Sequence, residues 1–272
     1  MRADVLFQDQ GITLTRLDHP PAVAHVDPDA EESEAYAVSF IESGSFHLHR
    51  GKRAWRLSQP SLFVTRPGFR YRCTHQSETP DDVCLSLRVA PDLVECAASQ
   101  AGRGWDDVVP VAPLTNRLAY LHRQLGEAVA DGNAPTAVPT LTAEILAAVL
   151  RPGPAPRLHR ERQLAWYAER IDAARRVMET RYAAPLTIEA LGREVGISTF
   201  HFCRVFRELV GVPPHRYLML VRLARGAEAL LAGASVTAAG RDAGFASLAH
   251  FVRQFRRAHG ITPSRYRRAA AK

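Results

Sequence analysis

Between residues 33 and 90 apolar and polar side chains alternate in short runs. In "AYAVSFIESGSFHLHRGKRAWRL", Phe46 and Leu48 alternate with His47 and His49, and Arg50-Gly51-Lys52 makes a compact turn. "SLFVTRPGFRYRCTH" and "DVCLSLRV" continue the rhythm, with Pro67-Gly68 and Thr79-Pro80-Asp81-Asp82 as turns. Short strands in succession, with no intervening helix, predict an antiparallel barrel or sandwich over residues 1–110. After Val111 the period changes. Leu114, Leu118, Leu121, Leu125 and Ala128 recur at helical spacing, and a second helix from about Thr140 to Leu150 presents Leu141, Ile145, Ala148 and Val149. Such a stripe either packs on its own domain or forms a narrow seam between two chains. Residues 111–150 are assigned here to dimerisation through Leu114, Leu118, Leu121 and Leu125. Arg151-Pro152-Gly153-Pro154-Ala155-Pro156 ends regular structure, so residues 151–165 read as a linker, with helix again from Arg162.

The last hundred residues repeat. "GVPPHRY" at 211–217 recurs as "GITPSRY" at 260–266, an offset of 49 that also relates Ser198 to Ser247, Phe202 to Phe251, Arg204 to Arg253, Phe206 to Phe255 and Arg207 to Arg256. Upstream of the turn the offset is 48, which pairs Val195 with Ala243 and Gly196 with Gly244. Two copies of one supersecondary unit follow. In the first, Thr187 caps a helix whose buried face holds Leu191 and Val195. Gly196 ends it in the left-handed conformation, and Ser198 caps the next helix two residues later. The second copy repeats the plan with Ser235, Ala239, Ala243, Gly244 and Ser247. This is the helix-turn-helix plan, at residues 187–210 and 235–259.

On a helical wheel, Phe202, Val205, Phe206 and Leu209 share one arc, while Phe200, Arg204 and Arg207 lie opposite with Cys203 beside them. In the second copy Phe251, Phe255 and Ala258 make the core arc; Ala249, Arg253 and Arg256 lie opposite, flanked by Val252 and Arg257. A helix with exposed arginines fits the major groove, where arginine reads guanine and apolar groups touch thymine methyls. A charge run more often means a solvated face. Here charge asymmetry favours a polyanion. Residues 166–272 carry 18 basic and 8 acidic side chains, net +10, whereas residues 1–165 are net −3.

This region, about 168–268, resembles the AraC family of bacterial regulators. The match lies in "PLTIEALGREVGISTFHFCRVFRELVGVPPHRYLMLVRLARGAEALL" and "SVTAAGRDAGFASLAHFVRQFRRAHGITPSRYRR", including Gly244-Phe245 and the Gly-x-x-Pro-x-x-Tyr endings. The resemblance implies an α+β chain: a cupin-like N-terminal β-barrel that binds a small-molecule effector, a helical dimerisation segment, and an all-α DNA-binding domain at 166–272. It implies two reading helices in successive major grooves, joined by a long helix at about 214–231. Contacts to double-stranded DNA fall on Thr199, Phe200, Cys203, Arg204 and Arg207, then on Leu248, Ala249, His250, Arg253 and Arg256. The implied partners are a second copy of the chain and RNA polymerase, and the implied activity is transcription regulation rather than catalysis. Where the family often carries long amide side chains, this chain has Cys203, Leu248 and Ala249.

Two chemical alternatives belong to the N-terminal half. His47 and His49 share a strand face, and enzymatic cupins use such a pair as metal ligands. Their pattern adds a carboxylate a few residues on, where this sequence has Lys52, Arg53 and Ala54, so a polar strand face is the simpler reading. Cys73 and His75 share a strand face to which the hairpin returns Cys84; these three can hold zinc, or the cysteine pair can act as a redox switch, or all three can be ordinary buried side chains. The four cysteines are too sparse for a disulfide framework. Arg2, Asp4, Gln8, Asp9 and Gln10 stand where a signal peptide needs apolar residues, and no apolar run is long enough to span a bilayer. The expectation is a cytoplasmic protein.

Overall fold

The computed structural model describes residues 1–19, 27, 29–76, 80–152 and 158–270, which divide into two units at Leu158/His159. The first unit holds strands β1 (Arg2–Asp9), β2 (Ile12–Asp18), β3 (Glu31–Ser33), β4 (Tyr36–Ser43), β5 (Ser45–Arg50), β6 (Arg53–Ser58), β7 (Ser61–Thr65), β8 (Phe69–Thr74), β9 (Val83–Val89) and β10 (Val111–Pro113). Its helices are α1 (Pro91–Ala101), α2 (Asn116–Ala130) and α3 (Ala134–Leu150). The second unit is helical: α4 (Glu161–Thr180), α5 (Ile188–Glu194), α6 (Thr199–Val210), α7 (Pro214–Leu231), α8 (Val236–Asp242), α9 (Leu248–His259) and α10 (Pro263–Ala270). Helix α4 thus begins inside the stretch read as linker, of which residues 153–157 lie outside the described residues.

The strands do not close into a barrel. They form a six-stranded sheet in the order β1-β2-β9-β4-β7-β10 and a four-stranded sheet in the order β3-β8-β5-β6, antiparallel throughout the described pairs. The first hairpin turns on Gln10 and Gly11, both at positive φ (49° and 75°), the backbone a two-residue turn demands when it must match strand twist. Alternation along β5 buries Phe46 and Leu48, which meet Leu57 of β6, Ile41 of β4 and Cys84 of β9 between the sheets. Strand β4 is buried on both faces, because α2 covers the side away from that core. There Phe40 stacks on His122 (centroids 4.8 Å apart), and His122 Nε2 meets Glu42 Oε1 at 3.0 Å.

The leucine stripe needs correcting. Leu118 is 5% exposed, Leu121 and Leu125 are 0% exposed, and Leu114 is half-buried. A side chain already removed from solvent within its own unit has no surface left to offer a second chain. Leu118, Leu121 and Leu125 are core of the N-terminal unit, where α2 packs on α3. Helix α3 also starts earlier than Thr140, at Ala134, with Pro135 in its first turn and Pro139 tolerated inside it.

Candidate nucleic-acid interface

Helices α5–α6 and α8–α9 are built by the same local chemistry. Thr187 Oγ1 accepts the Ala190 N–H at 3.1 Å, and Ser235 Oγ accepts that of Ala238 at 3.1 Å. Gly196 and Gly244 end the leading helices at φ +69° and +83°. In each turn the next amide returns to the helix it left: Ile197 N–H to Gly192 O at 2.9 Å, and Phe245 N–H to Gly240 O at 3.1 Å. Gly244 carries a second constraint, since a Cβ there would stand 2.8 Å from Ala183 Cα. Ser247 Oγ caps α9 by accepting the His250 N–H at 3.3 Å. Ser198 occupies the equivalent position on α6, but its side chain makes no capping bond.

The buried arc of α6 is as the wheel places it, with Phe202, Val205, Phe206 and Leu209 at 0% exposure. On α9, Phe251 and Phe255 are fully buried, but Ala258 is exposed; His259 stacks on Phe255 (centroids 4.2 Å) and leaves the alanine outside. The repeated Gly-x-x-Pro-x-x-Tyr endings now have a role. Tyr217 packs edge-on against Phe206 (5.5 Å) and Tyr266 against Phe255 (5.3 Å), so each ending closes the core of its own helix pair.

On the opposite arcs, Thr199, Arg204, Arg207, Ala249, Arg253 and Arg256 are exposed, Phe200 is 83% exposed, and Leu248 is 45% exposed. Cys203 and His250 are half-buried, and the His250 ring lies edge-on to Phe245 (5.6 Å), which gives it a packing role. Leu248, Val252, Arg253, Arg256 and Thr262 line one open hollow on α9. Charge pairing separates these arginines from several others of the unit. Arg181, Arg225 and Arg241 each pair with a carboxylate (Glu194, Glu228 and Asp242), whereas among the described residues none pairs with Arg204, Arg207, Arg253 or Arg256. Four uncompensated guanidinium groups beside exposed apolar side chains make a surface suited to a polyanion that also offers methyl groups.

Sequence reasoning missed the residues that hold this surface in place. Tyr167 Oη meets His201 Nε2 at 2.8 Å, which ties α4 to α6. Arg222, in the apolar run of α7, donates to Tyr182 O at 2.8 Å and Ala184 O at 2.9 Å, and so fixes the α4–α5 connection. A lone cation inside an apolar helical run is the signal that could have found it.

The N-terminal candidates separate. Cys84 is buried and Cys73 half-buried in the apolar cluster between the sheets. Burial pushes both thiols up, that of Cys84 to about 12, as expected of cysteines packed among apolar side chains. His75 instead joins Asp27 and Asp82, with Nδ1 2.6 Å from Asp27 Oδ1 and Nε2 3.1 Å from Asp82 Oδ1. Among the described residues Cys73 and Cys84 do not gather with His75 as a ligand cluster. The His47 and His49 rings are 6.3 Å apart and His49 Nε2 meets Thr74 Oγ1 at 2.7 Å; among the described residues no third ligand joins them.

Comparison with known proteins agrees with this division. Residues 5–152 match the model of an AraC-binding-like domain, and residues 191–269 that of a helix-turn-helix domain. Over 99 residues the chain is 32% identical to the bifunctional transcriptional activator/DNA repair enzyme Ada of Escherichia coli, covering 36% of this chain and 27% of that protein. Over 85 residues it is 34% identical to an HTH-type transcriptional regulator of Haemophilus influenzae, covering 31% of this chain and 28% of that one. The chain spans little more than a quarter of the length of these curated relatives. Among solved structures, a probable AraC family regulator from Rhodopseudomonas palustris is 31% identical with TM-score 0.35, over 38% of this chain and 97% of that one. Unsaturated fatty acid bound ToxT from Vibrio cholerae is 13% identical with TM-score 0.38, over 98% of this chain and 97% of that one.

Proposed function

The chain belongs to the AraC family of transcription regulators, and from that premise we propose that it binds specific duplex DNA through two helix-turn-helix motifs and answers to an effector held by its N-terminal unit. The observation that carries the reading is the repeated surface: among the described residues, α6 and α9 expose arginines free of carboxylate partners at two equivalent positions, Arg204/Arg253 and Arg207/Arg256, with Arg257 a third on α9. The reading helices are α6, with Thr199, Phe200, Cys203, Arg204 and Arg207, and α9, with Leu248, Ala249, His250, Arg253 and Arg256. They are assigned to successive major grooves, as the resemblance implies.

The effector assigned here is a small, largely apolar molecule. Supporting it is a cavity of about 250 Å³ between α1 and α3, lined by Leu93, Ala97, Thr142 and Leu146. Homodimerisation and contact with RNA polymerase belong to the same reading, with an interface other than the buried leucine stripe. The His47/His49 pair gains no third ligand among the described residues, so that pair does not support an enzymatic reading. No described helix is long and apolar enough to cross a membrane.

The test is binding of the full chain to a pool of random duplexes, followed by titration of the enriched sequence across a range of salt. A recurrent enriched motif and a steep linear fall of log affinity with log salt are expected, since each neutralised phosphate releases counterions. A pool without enrichment, or a flat salt response, would overturn the assignment.

A further inference from the structure

Three side chains outside the DNA-reading surface converge at one end of the β unit. His19 directly follows β2 and Asp82 directly precedes β9; these strands pair with Asp18 opposite Val83, so the next step of the register sets His19 beside Asp82. His19 N–H donates to Asp82 O at 3.2 Å, which fixes that step. His75 arrives from the end of β8, in the other sheet. His19 Nδ1 and His75 Nε2 each lie 3.1 Å from Asp82 Oδ1, and one ligand atom from each of the three residues lies within 4.8 Å of the others. All three side chains are at least nine-tenths buried, with exposures of 9%, 6% and 7%.

The hydrogen bonding decides what fits among them. Asp27 clasps His75 from behind, accepting the backbone N–H at 2.9 Å and meeting Nδ1 at 2.6 Å. Nε2, on the far side of the same ring, faces Asp82 Oδ1 at 3.1 Å. Asp82 Oδ1 is buried and accepts no hydrogen bond among the described residues. A cation seated there gives that oxygen the partner its burial calls for. Ligands about 2.0–2.1 Å from a tetrahedral zinc ion stand about 3.3 Å apart, close to the two histidine–aspartate separations; the two histidine nitrogens, within 4.8 Å of each other, would draw together on binding. The carboxylate behind the imidazole is the usual support for a metal-bound histidine, since it fixes the tautomer and raises ligand basicity.

We propose that His19, His75 and Asp82 bind one divalent transition-metal ion, of the zinc type, with Asp27 orienting His75. Two nitrogens and one oxygen leave a coordination position open for water or a ligand. Because His19 and Asp82 belong to one sheet and His75 to the other, the ion staples the two sheets of the N-terminal unit. The backbone around Asp82 is fitted for this. A Cβ on Gly44, in the β4–β5 turn, would stand 2.5 Å from Asp82 Cα, so the turn packs directly on the ligand's main chain.

The test uses the full chain, stripped with a chelator and titrated with Zn²⁺ alone and with Co²⁺ alone. One ion should bind per chain and raise the unfolding temperature. The cobalt form should show visible d–d bands without a thiolate charge-transfer band. His75→Gln and Asp82→Asn should lose at least 100-fold in affinity, Asp27→Asn about 10–100-fold, and a Cys73→Ser/Cys84→Ser double variant should bind as the parent does. Where a ligand variant fails to fold, the cobalt spectrum of the unsubstituted chain still decides. Failure of the folded chain to take up either ion would overturn the site in favour of an imidazolium bridging two carboxylates. So would a thiolate band, or binding unchanged in folded His75→Gln and Asp82→Asn.

Discussion

Gly240 lies so close to Phe251 that a Cβ on it would stand 2.9 Å from the ring's Cδ1. Gly226 presses on the same ring from α7, where a Cβ would stand 2.8 Å from Cε2. Phe251 is fully buried and carries the core under the second reading helix, so neither approach has room to relax. Gly240→Ala should therefore destabilise the C-terminal unit by about 1–2 kcal/mol, overpacking outweighing the gain in helix propensity. Gly126 is the counter-case: it sits on the exposed face of α2 with nothing within 4 Å of a would-be Cβ. Gly126→Ala should stabilise by about 0.5–1 kcal/mol. Denaturant unfolding of both variants checks the pair, and equal signs would refute the argument.

Buried leucines give the second expectation. Leu121 is fully buried in the N-terminal unit, so Leu121→Ala should cost about 2–5 kcal/mol of its stability. Leu121→Asp should unfold that unit outright. Circular dichroism beside sedimentation separates the cases: a well-folded aspartate variant that merely became monomeric would restore the stripe as an interface.

What was legible in the sequence is what local chemistry fixes. The turn glycines, the caps at Thr187 and Ser235 and the phenylalanine arcs of α6 and α9 are all read within a few residues of themselves. The repeat then reads them twice. Strands β1 and β2 went unread although Gln10-Gly11 is a two-residue turn between apolar runs, and α1 went unread although Pro91 opens it. The leucine stripe shows why periodicity has a limit: the same spacing serves a core and an interface, and only burial tells them apart. His19, His75 and Asp82 were beyond reach for a different reason. They meet only because β2 pairs with β9 and β8 lies in the facing sheet, and no short spacing encodes that.

Glu42 gives the third expectation. The hydrogen bond from His122 holds its carboxyl below the usual carboxylate range, with the His122 and Arg16 charges helping and burial opposing. A carboxyl lowered on folding adds stability that is fully present above the unfolded pKa and lost as pH falls through the folded one. Glu42→Gln should thus cost about 1 kcal/mol near neutral pH, discounted for partial exposure, and the difference from the parent should shrink in acid. Urea midpoints of the two proteins across pH test this. A gap that widened as pH fell would reverse the assignment.

The two reading helices should contribute unequally to specificity. Arg204 stands on the exposed arc of α6 with Phe200 and Cys203 beside it, so it can approach a guanine edge next to an apolar contact. Arg204→Ala should cost roughly 1–3 kcal/mol at its preferred base and relax discrimination there. Arg253 has Ala249 and Val252 around it, which can touch thymine methyls but neither donate nor accept a hydrogen bond. Arg253→Ala should weaken binding evenly across sequences and lower the salt slope by about one unit, as a lost phosphate contact does. Binding of both variants to a panel of single-base operator changes separates the roles. Neither arginine touches the buried arcs, so folding stays intact and affinity alone is read. If Arg253→Ala changed base preference at one position while Arg204→Ala acted uniformly, the ranking of α6 over α9 would be reversed.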